Sequence, residues 1–499
     1  MFQVFKNLRL SLLTFCLLAL SLSSCGGSST ESPTRTLTGY FEEISDGLPD
    51  FRKYYEELGG FAFSLVSADI DINGDGLKDL VFHFWKRNIS NEQGITKNKL
   101  AIFIQQPGLK FIDKTDYYLS GSNDLGGTSN VYTIADVNND GKDDVIFAIN
   151  QEDGRNTSDN FTAQIAILLS GKEKYSISKV GEYRWYFNVA TGYDVNNKIF
   201  VMGGGSSGPA ESNSGGNIIS YVSDNNWKDI TKDYPPLDIE AQIFFNDNLT
   251  PTESTYLFQR GDGRYPIAVD GYYKNLKGEW KKYDPYIVES TGSIQWTSYQ
   301  GVTQAIGTFD IDGIKYMSGA ISDSCVFKYY PNSKPIPIFS LAAIIVPTNY
   351  DGKLPLNQTD LVNTNRLFGV QIVNGKIEYL KLNIDNQYNM RDSNYNMQCK
   401  DINGDRYMDI VQYPIDDLGS PLIYLNNKDG NLKYINRDIF PKSITSSFNK
   451  NSMVSLYSDL DNDGIPDLIV WSTGFNAFID PSYKFNTKIY KGLSTLKSP

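Results

Sequence analysis

Ser458-Asp459-Leu460-Asp461-Asn462-Asp463-Gly464-Ile465-Pro466-Asp467-Leu468-Ile469-Val470 is an acidic loop that runs directly into an apolar strand. The same design stands at three other places: ADIDINGDGLKDLVF from Ala68, ADVNNDGKDDVIF from Ala135 and KDINGDRYMDIV from Lys400. A hard cation such as Ca²⁺ takes roughly six to eight oxygens, which a short loop supplies by setting carboxylates at alternate positions and a glycine at the sharp turn. The expected side-chain ligands, at positions one, three, five and nine, are Asp71, Asn73, Asp75 and Asp79 in the first loop and Asp136, Asn138, Asp140 and Asp144 in the second. In the third they are Asp401, Asn403, Asp405 and Asp409, and in the fourth Asp459, Asp461, Asp463 and Asp467. Position seven offers a backbone carbonyl, so Leu77, Lys142, Tyr407 and Ile465 need no particular side chain. About four Ca²⁺ sites are therefore expected.

The exit from each loop excludes a helix-loop-helix calcium site. That architecture closes its cation with a bidentate Glu at position twelve, where this chain has Phe82, Phe147, Gln412 and Val470. The exits are rich in β-branched and aromatic residues and read as strands. Turn chemistry alone also favours Asp, Asn and Gly, but one spacing kept in four loops argues for a shared ligand. The third loop departs from the pattern. Arg406 stands where the others have Gly76, Gly141 and Gly464, and a non-Gly residue in a left-handed turn costs roughly 1 kcal/mol.

The loops belong to a larger repeat. The first two start 136 − 71 = 65 residues apart and the last two 459 − 401 = 58 apart, a period that points to an array or a propeller. Degenerate copies lie at Tyr193-Asp194-Val195-Asn196-Asn197, at Gly261-Asp262-Gly263-Arg264-Tyr265-Pro266-Ile267 and at Phe309-Asp310-Ile311-Asp312-Gly313, and these read as metal-free turns. Hairpins fall between the loops, through Pro107-Gly108 and Asp429-Gly430, and around Gly171, Asn225, Gly278 and Asp351-Gly352. Strand, acidic loop, strand, strand, turn, strand makes a four-stranded propeller blade. The expected fold is all-β, a β-propeller of seven blades. The last unit is one strand short, and Tyr40 to Asp46 resembles the missing outer strand, so the N-terminus is expected to complete that blade and protect its edge.

The loops and their exits resemble the FG-GAP/VCBS repeat family, which includes the propeller of integrin α subunits and many exported bacterial proteins. That resemblance implies calcium at the residues named above and suggests adhesion, although no Gly-Ala-Pro follows the strands and Arg406 breaks one glycine. Fold does not by itself give function.

The N-terminus indicates where the chain works. Lys6 and Arg9 precede an apolar stretch from Leu10 to Leu22, the form of an export signal and shorter than the roughly 20 residues a membrane span needs. Leu22-Ser23-Ser24-Cys25-Gly26 resembles a bacterial lipobox, so residues 1–24 read as a lipoprotein signal, Cys25 as the lipid attachment, 25–38 as a flexible tether rich in Ser, Thr and Gly, and 39–499 as the propeller. Gly26 lacks the inner-membrane retention signal of enterobacteria, which favours the outer membrane; the displayed leaflet stays open.

Losing the signal takes the net charge from −12 to −12 − 2 = −14, and much of that acidity lies in the loops. It argues against nucleic acid, which wants a basic footprint. With Cys16 and Cys25 assigned to the signal and the anchor, Cys325 and Cys399 remain, and an oxidising compartment would let them form a disulfide. The single histidine, His83, reads as a strand residue, and one imidazole cannot build a multi-His zinc site. Gly203-Gly204-Gly205-Ser206-Ser207-Gly208 lacks the lysine of a phosphate loop and reads as a long connection.

The expectation is a lipid-anchored binding or adhesion module for a protein or glycan at the bacterial envelope. The abundance of Tyr, Trp185-Tyr186-Phe187 and Trp280 suggest an aromatic binding face, with strand packing as the competing use. A propeller-fold polysaccharide lyase and a scaffold subunit of an envelope complex are the alternatives, and no catalytic constellation is legible.

Overall fold

The computed structural model describes residues within 40–493, in segments broken at 45–46, 48–50, 59–62, 86–96, 151–162, 185, 194–197, 206–215, 224–225, 236–241, 246–254, 260–266, 276, 298–302, 351–361, 386–393, 415–420, 441–452 and 473–486. The expected signal, Cys25 and the tether lie outside the described residues. No described helix is long and apolar enough to cross a membrane.

The described strands form seven sheets and give a propeller-like, all-β architecture. The first sheet shows the plan, with Phe63–Ile70, Asp79–Trp85, Asn98–Gln106 and Lys110–Asp113 hydrogen-bonded in that order. The second, third, fourth and sixth sheets start from Thr128–Ala135, Tyr186–Tyr193, Gln242–Phe245 and Asn394–Lys400 and follow the same antiparallel course. Short fifth strands join three of them; two, Leu119–Ser120 and Ile384–Asp385, pair in parallel. The seventh sheet takes Met453–Ser458, Asp467–Ser472 and Thr487–Gly492 from the C-terminal end and Phe41–Ile44 from the N-terminal end. Phe41 lies opposite Gly492 and Ile44 opposite Ile489, so the two ends of the chain share one sheet.

Burial explains why the second and third strands are almost continuously apolar. Successive side chains of a strand point to opposite faces, and here both faces are covered. Leu80 and Phe82 pack with Leu456, Ile469 and Trp471 of the seventh sheet, whereas Val81 and Ile102 pack with Val145 and Phe147 of the second. The same alternation joins the sixth sheet to the seventh through Val411, Ile423 and Val470, and to the fifth through Ile410, Tyr424 and Ile338. Each fully buried side chain of this kind contributes about 1.5–3 kcal/mol. A short helix, Arg52–Glu57, covers the first sheet with Tyr54, whose hydroxyl bonds Asp113 Oδ2 at 2.8 Å.

The fifth sheet departs from the four-strand plan. It has six strands, because Gly292–Thr297 and Thr303–Ile311 form an extra hairpin on the first half of Ile314–Phe327. The degenerate copy at Phe309 to Gly313 is therefore the tight turn of that hairpin, held by Asp312 and Gly313 at φ 51 and 77, and not a loop between the first two strands of a blade. The degenerate copies over residues 194–197 and 261–266 lie outside the described residues. Asp351-Gly352 also lies outside the described residues; the outer hairpin of the fifth sheet turns at Asn374-Gly375. Gly203 to Gly205 end the strand Ile199–Gly205 rather than forming a connection. A Cβ on Gly203 would lie 2.6 Å from the Tyr186 ring, so close backbone approach is what the glycine allows.

Candidate metal loops and the central cavity

All four acidic loops join the first two strands of their sheets: the first, second, sixth and seventh. Their backbones follow one template. The position-one carboxylate accepts the position-six N–H at 2.8 Å from Gly76, 2.9 Å from Gly141, 2.7 Å from Arg406 and 3.0 Å from Gly464. The position-seven N–H bonds the position-five carboxylate at 2.8–3.0 Å in every loop. Arg406 thus takes the turn that glycine takes elsewhere, at φ 72. Position four is left-handed too, through Gly74, Asn139, Gly404 and Asn462.

Position nine has a second use that spacing alone does not show. Asp79 Oδ2 accepts the Ile72 N–H at 2.7 Å and its Oδ1 the Gln105 N–H at 2.8 Å, tying the loop to the end of the third strand. Asp144 does the same with Val137 and Ser170, Asp409 with Ile402 and Asn426, and Asp467 with Leu460 and Gly492. All four are buried, and burial pushes their carboxyls up, to about 6 for Asp79 and Asp144 and about 7 for Asp409 and Asp467, against the pull of those N–H groups. Position two drives an apolar side chain, Ile72, Val137, Ile402 or Leu460, into the core beneath each loop.

The loops differ in charge. Asp459, Asp461 and Asp463 bring carboxylate oxygens within 4.8 Å of one another. Lys491 reaches into that cluster, bonding Asp461 and, at 2.9 Å, Asp463. Lys428 pairs with Asp405 at 3.2 Å in the third loop. Asn replaces Asp at position three in the first three loops, and there its Oδ1 accepts the position-five N–H at 3.0–3.2 Å. The set of oxygens suits a hard cation, which would have to displace the Lys491 ammonium in the fourth loop.

The other residues singled out from sequence settle into structural positions. His83 is fully buried in its strand, 5.0 Å from the Trp85 ring and 6.1 Å from Phe147, and desolvation holds its imidazole neutral by lowering its pKa to about 3. Tyr186 is a core side chain whose hydroxyl donates to Glu182 O at 2.8 Å, and Trp280 Nε1 donates to Asp233 O at 2.7 Å while packing on Tyr234. These two aromatics brace strands, the packing use expected of them alongside a binding face. Cys325 and Cys399 are joined by a disulfide, with Cα atoms 5.7 Å apart, between the first strand of the sixth sheet and its neighbour in the fifth.

Where first strands meet, a cavity of about 360 Å³ opens. Asp69, Thr133, Asn188, Thr191, Asp323 and Gln398 line it from five different sheets. Burial would raise the Asp69 carboxyl, but Lys400 at 3.4 Å and the Ser458 hydroxyl outweigh it and hold the pKa below its ordinary value. Among the described residues Asp323 is held by backbone N–H groups, those of Ser324, at 2.7 Å, and Met397, and desolvation pushes it up to about 7. Nothing in the local sequence marks these residues, because they converge only when separate sheets assemble.

Comparison with known proteins is consistent with the repeat. An FG-GAP-like repeat matches residues 401–470, which spans the third and fourth loops. No curated protein matches the chain. Among solved structures, one on the structural basis of specific recognition of non-reducing terminal N-acetylglucosamine by an Agrocybe aegerita lectin is similar at 12% identity and a TM-score of 0.38, over 87% of this chain and 94% of that chain. The exotype rhamnogalacturonan lyase YesX is similar at 11% identity and a TM-score of 0.34, over 86% of this chain and 72% of that one. Rhamnogalacturonan lyase YesW is similar at 11% identity and a TM-score of 0.28, over 87% and 85%.

Proposed function

We propose that the chain is a calcium-braced, seven-bladed propeller that acts as a binding module for a protein or glycan, held to the outer membrane of a bacterium by a lipid on Cys25. The cavity carries the binding role: neutral hydroxyl and amide groups converge on it from separate sheets. Its acidic side chains are already tied to an ammonium, a hydroxyl or backbone N–H groups. One place where arginine, tyrosine and carboxylate do meet is closed on itself and lends no support to a lyase. Arg366 donates to Tyr316 at 2.8 Å and to Asp312, and the Tyr379 hydroxyl donates to the same Asp312 at 2.8 Å, so the cluster pins the extra hairpin of the fifth sheet.

Calcium enters this reading as a brace. The residues that would hold it are those at positions one, three, five and nine, with the position-seven carbonyl, and the backbone template common to the four loops supports that assignment. A ligand that binds only the folded state stabilises it, by about 2.7 kcal/mol at a hundredfold excess over Kd.

The test is a screen of the purified chain against an envelope-protein fraction and a glycan array, with calcium and with a chelator. A retained protein or glycan, lost on chelation, is the expected result; turnover of a polysaccharide without stable retention would replace the module by an enzyme.

A further inference from the structure

We propose that the central cavity is a binding site for a neutral, polyhydroxylated ring, a sugar, and that it rejects anionic sugars; this rests on the binding-module reading and gives it a site and a ligand class. Three observations lead there.

The first is size and wall chemistry. About 360 Å³ is at the lower end of the roughly 300–1,000 Å³ of small-molecule sites, which suits a small ligand and not an extended chain. Such sites are usually apolar with a few polar groups. Here Thr133, Thr191, Asn188 and Gln398 share the wall with two carboxylates, so the wall suits hydroxyls better than a flat apolar cofactor.

The second is the hydrogen-bonding capacity that remains. A carboxylate offers roughly four lone-pair sites. Asp69 receives Ser458 and Lys400, and Asp323 receives the N–H groups of Ser324 and Met397. Each retains acceptor sites for a ligand hydroxyl while its orientation is fixed. The first strands are also the inner edges of their sheets: Phe63–Ile70, Thr128–Ala135, Tyr186–Tyr193 and Asn394–Lys400 each end a sheet, and the second half of Ile314–Phe327 pairs on one side only. Edge strands present backbone N–H and C=O groups, a mixture of donors and acceptors that matches hydroxyls able to do both.

The third is charge. Lys400 and, farther off, Lys78 balance Asp69, and Asp323 adds a negative charge to the wall where it ionises, above about pH 7. A uronic acid would add a like charge in a partly desolvated space, which is unfavourable. The same charge would attract a free cation, but Asp69 already holds one and Asp323 is satisfied by backbone dipoles.

The experiment uses the chain purified from a bacterial host, with calcium present, and saturation-transfer NMR with D-glucose, D-galactose, D-mannose, L-fucose and D-glucuronic acid. The expected result is transfer to at least one neutral sugar and none to glucuronic acid, with affinity at least tenfold weaker in Thr191→Phe, which fills the cavity, and in Gln398→Leu, which removes an amide from its wall. Near-UV circular dichroism checks both variants, and if one has unfolded the other carries the test. A second arm passes the protein over agarose bearing the same neutral sugars through C1. Retention assigns the end of a glycan chain as the source, and transfer without retention assigns a free sugar.

Three results would overturn the proposal. Glucuronic acid could bind as well as the neutral sugars, or no sugar could bind at all. A sugar could also bind equally to wild type and to both folded variants, in which case the module reading survives and the cavity is not its site.

Discussion

Four sheets carry acidic loops and three do not, and the two kinds are not scattered. The sixth, seventh, first and second sheets succeed one another in contact, with the loops of the first and seventh touching: Lys78 N donates to Leu460 O at 2.9 Å, and Asn462 reaches Gly76 O. This run includes the sheet built from both chain ends. The third, fourth and fifth sheets form the other run and are fastened differently, by the Arg366 cluster and by close approach at Gly203. The disulfide stands at one boundary between the two, from the fifth sheet to the sixth. The difference teaches that the acidic loops gather around the seventh sheet, where the N-terminal strand Phe41–Ile44 and the C-terminal strand Thr487–Gly492 pair without a covalent connection. Within each of these sheets a buried position-nine carboxylate adds a side-chain link between the loop and the end of the third strand.

The largest way to break the contrast is at the boundary. Cys325 and Cys399 are 74 residues apart in sequence, so in the chain-entropy account Cys325→Ser with Cys399→Ser should lower stability by up to about 4 kcal/mol, measured by urea unfolding. A midpoint unchanged from wild type would show that the bridge does not constrain the unfolded chain. Next comes the position-nine latch. Asp467→Ala removes the acceptor for two buried N–H groups, of Leu460 and Gly492, and each orphaned group costs about 1–3 kcal/mol. A loss of about 2–4 kcal/mol that persists in chelator is expected, since a role confined to metal binding would vanish there.

The pH dependence separates the cavity from the loops. The Asp323 carboxyl is raised by burial from 3.8 to about 7 in the folded chain. A carboxyl raised in this way contributes most stability below its unfolded value and loses it as pH climbs through the folded one. Wild type should therefore lose roughly 2–4 kcal/mol relative to Asp323→Asn between pH 4 and 8, because each pH unit separating the unfolded and folded values is worth about 1.4 kcal/mol; parallel stability curves would refute the raised value. The smallest effect belongs to the third loop. Arg406 sits at φ 72, and Arg406→Gly should stabilise by roughly 1 kcal/mol; no gain would mean that the arginine side chain makes compensating contacts.

Much of the fold is legible in the chain because it is local. Acidic loop, apolar strand and hairpin recur at a period that a reader can count, and the resemblance of Tyr40 to Asp46 to an outer strand correctly places Phe41–Ile44 beside Thr487–Gly492. Position two carries an equally local signal: Ile72, Val137, Ile402 and Leu460 are apolar in an acidic setting because they enter the core. The errors arise where composition imitates the repeat. Asp310 and Asp312 look like a worn loop, but they close a hairpin inserted between units, and nothing in five residues tells a tight turn from a blade loop. Gly203 looks like a connection because its constraint, the Tyr186 ring, lies on another strand. The cavity residues are out of reach for the same reason. Asp69 and Asp323 are 254 positions apart, by 323 − 69, and meet only in the assembled fold.

Hydrogen exchange with and without calcium, resolved along the chain, tests the contrast most directly. The account predicts that chelation will speed exchange in Asp79–Trp85, Asp144–Asn150, Asp409–Pro414 and Asp467–Ser472, which leave the acidic loops, and will leave Ile199–Gly205 and Ile336–Ile345 close to their calcium-loaded rates. Exchange that does not change with calcium, or that changes equally in both runs of sheets, would contradict it.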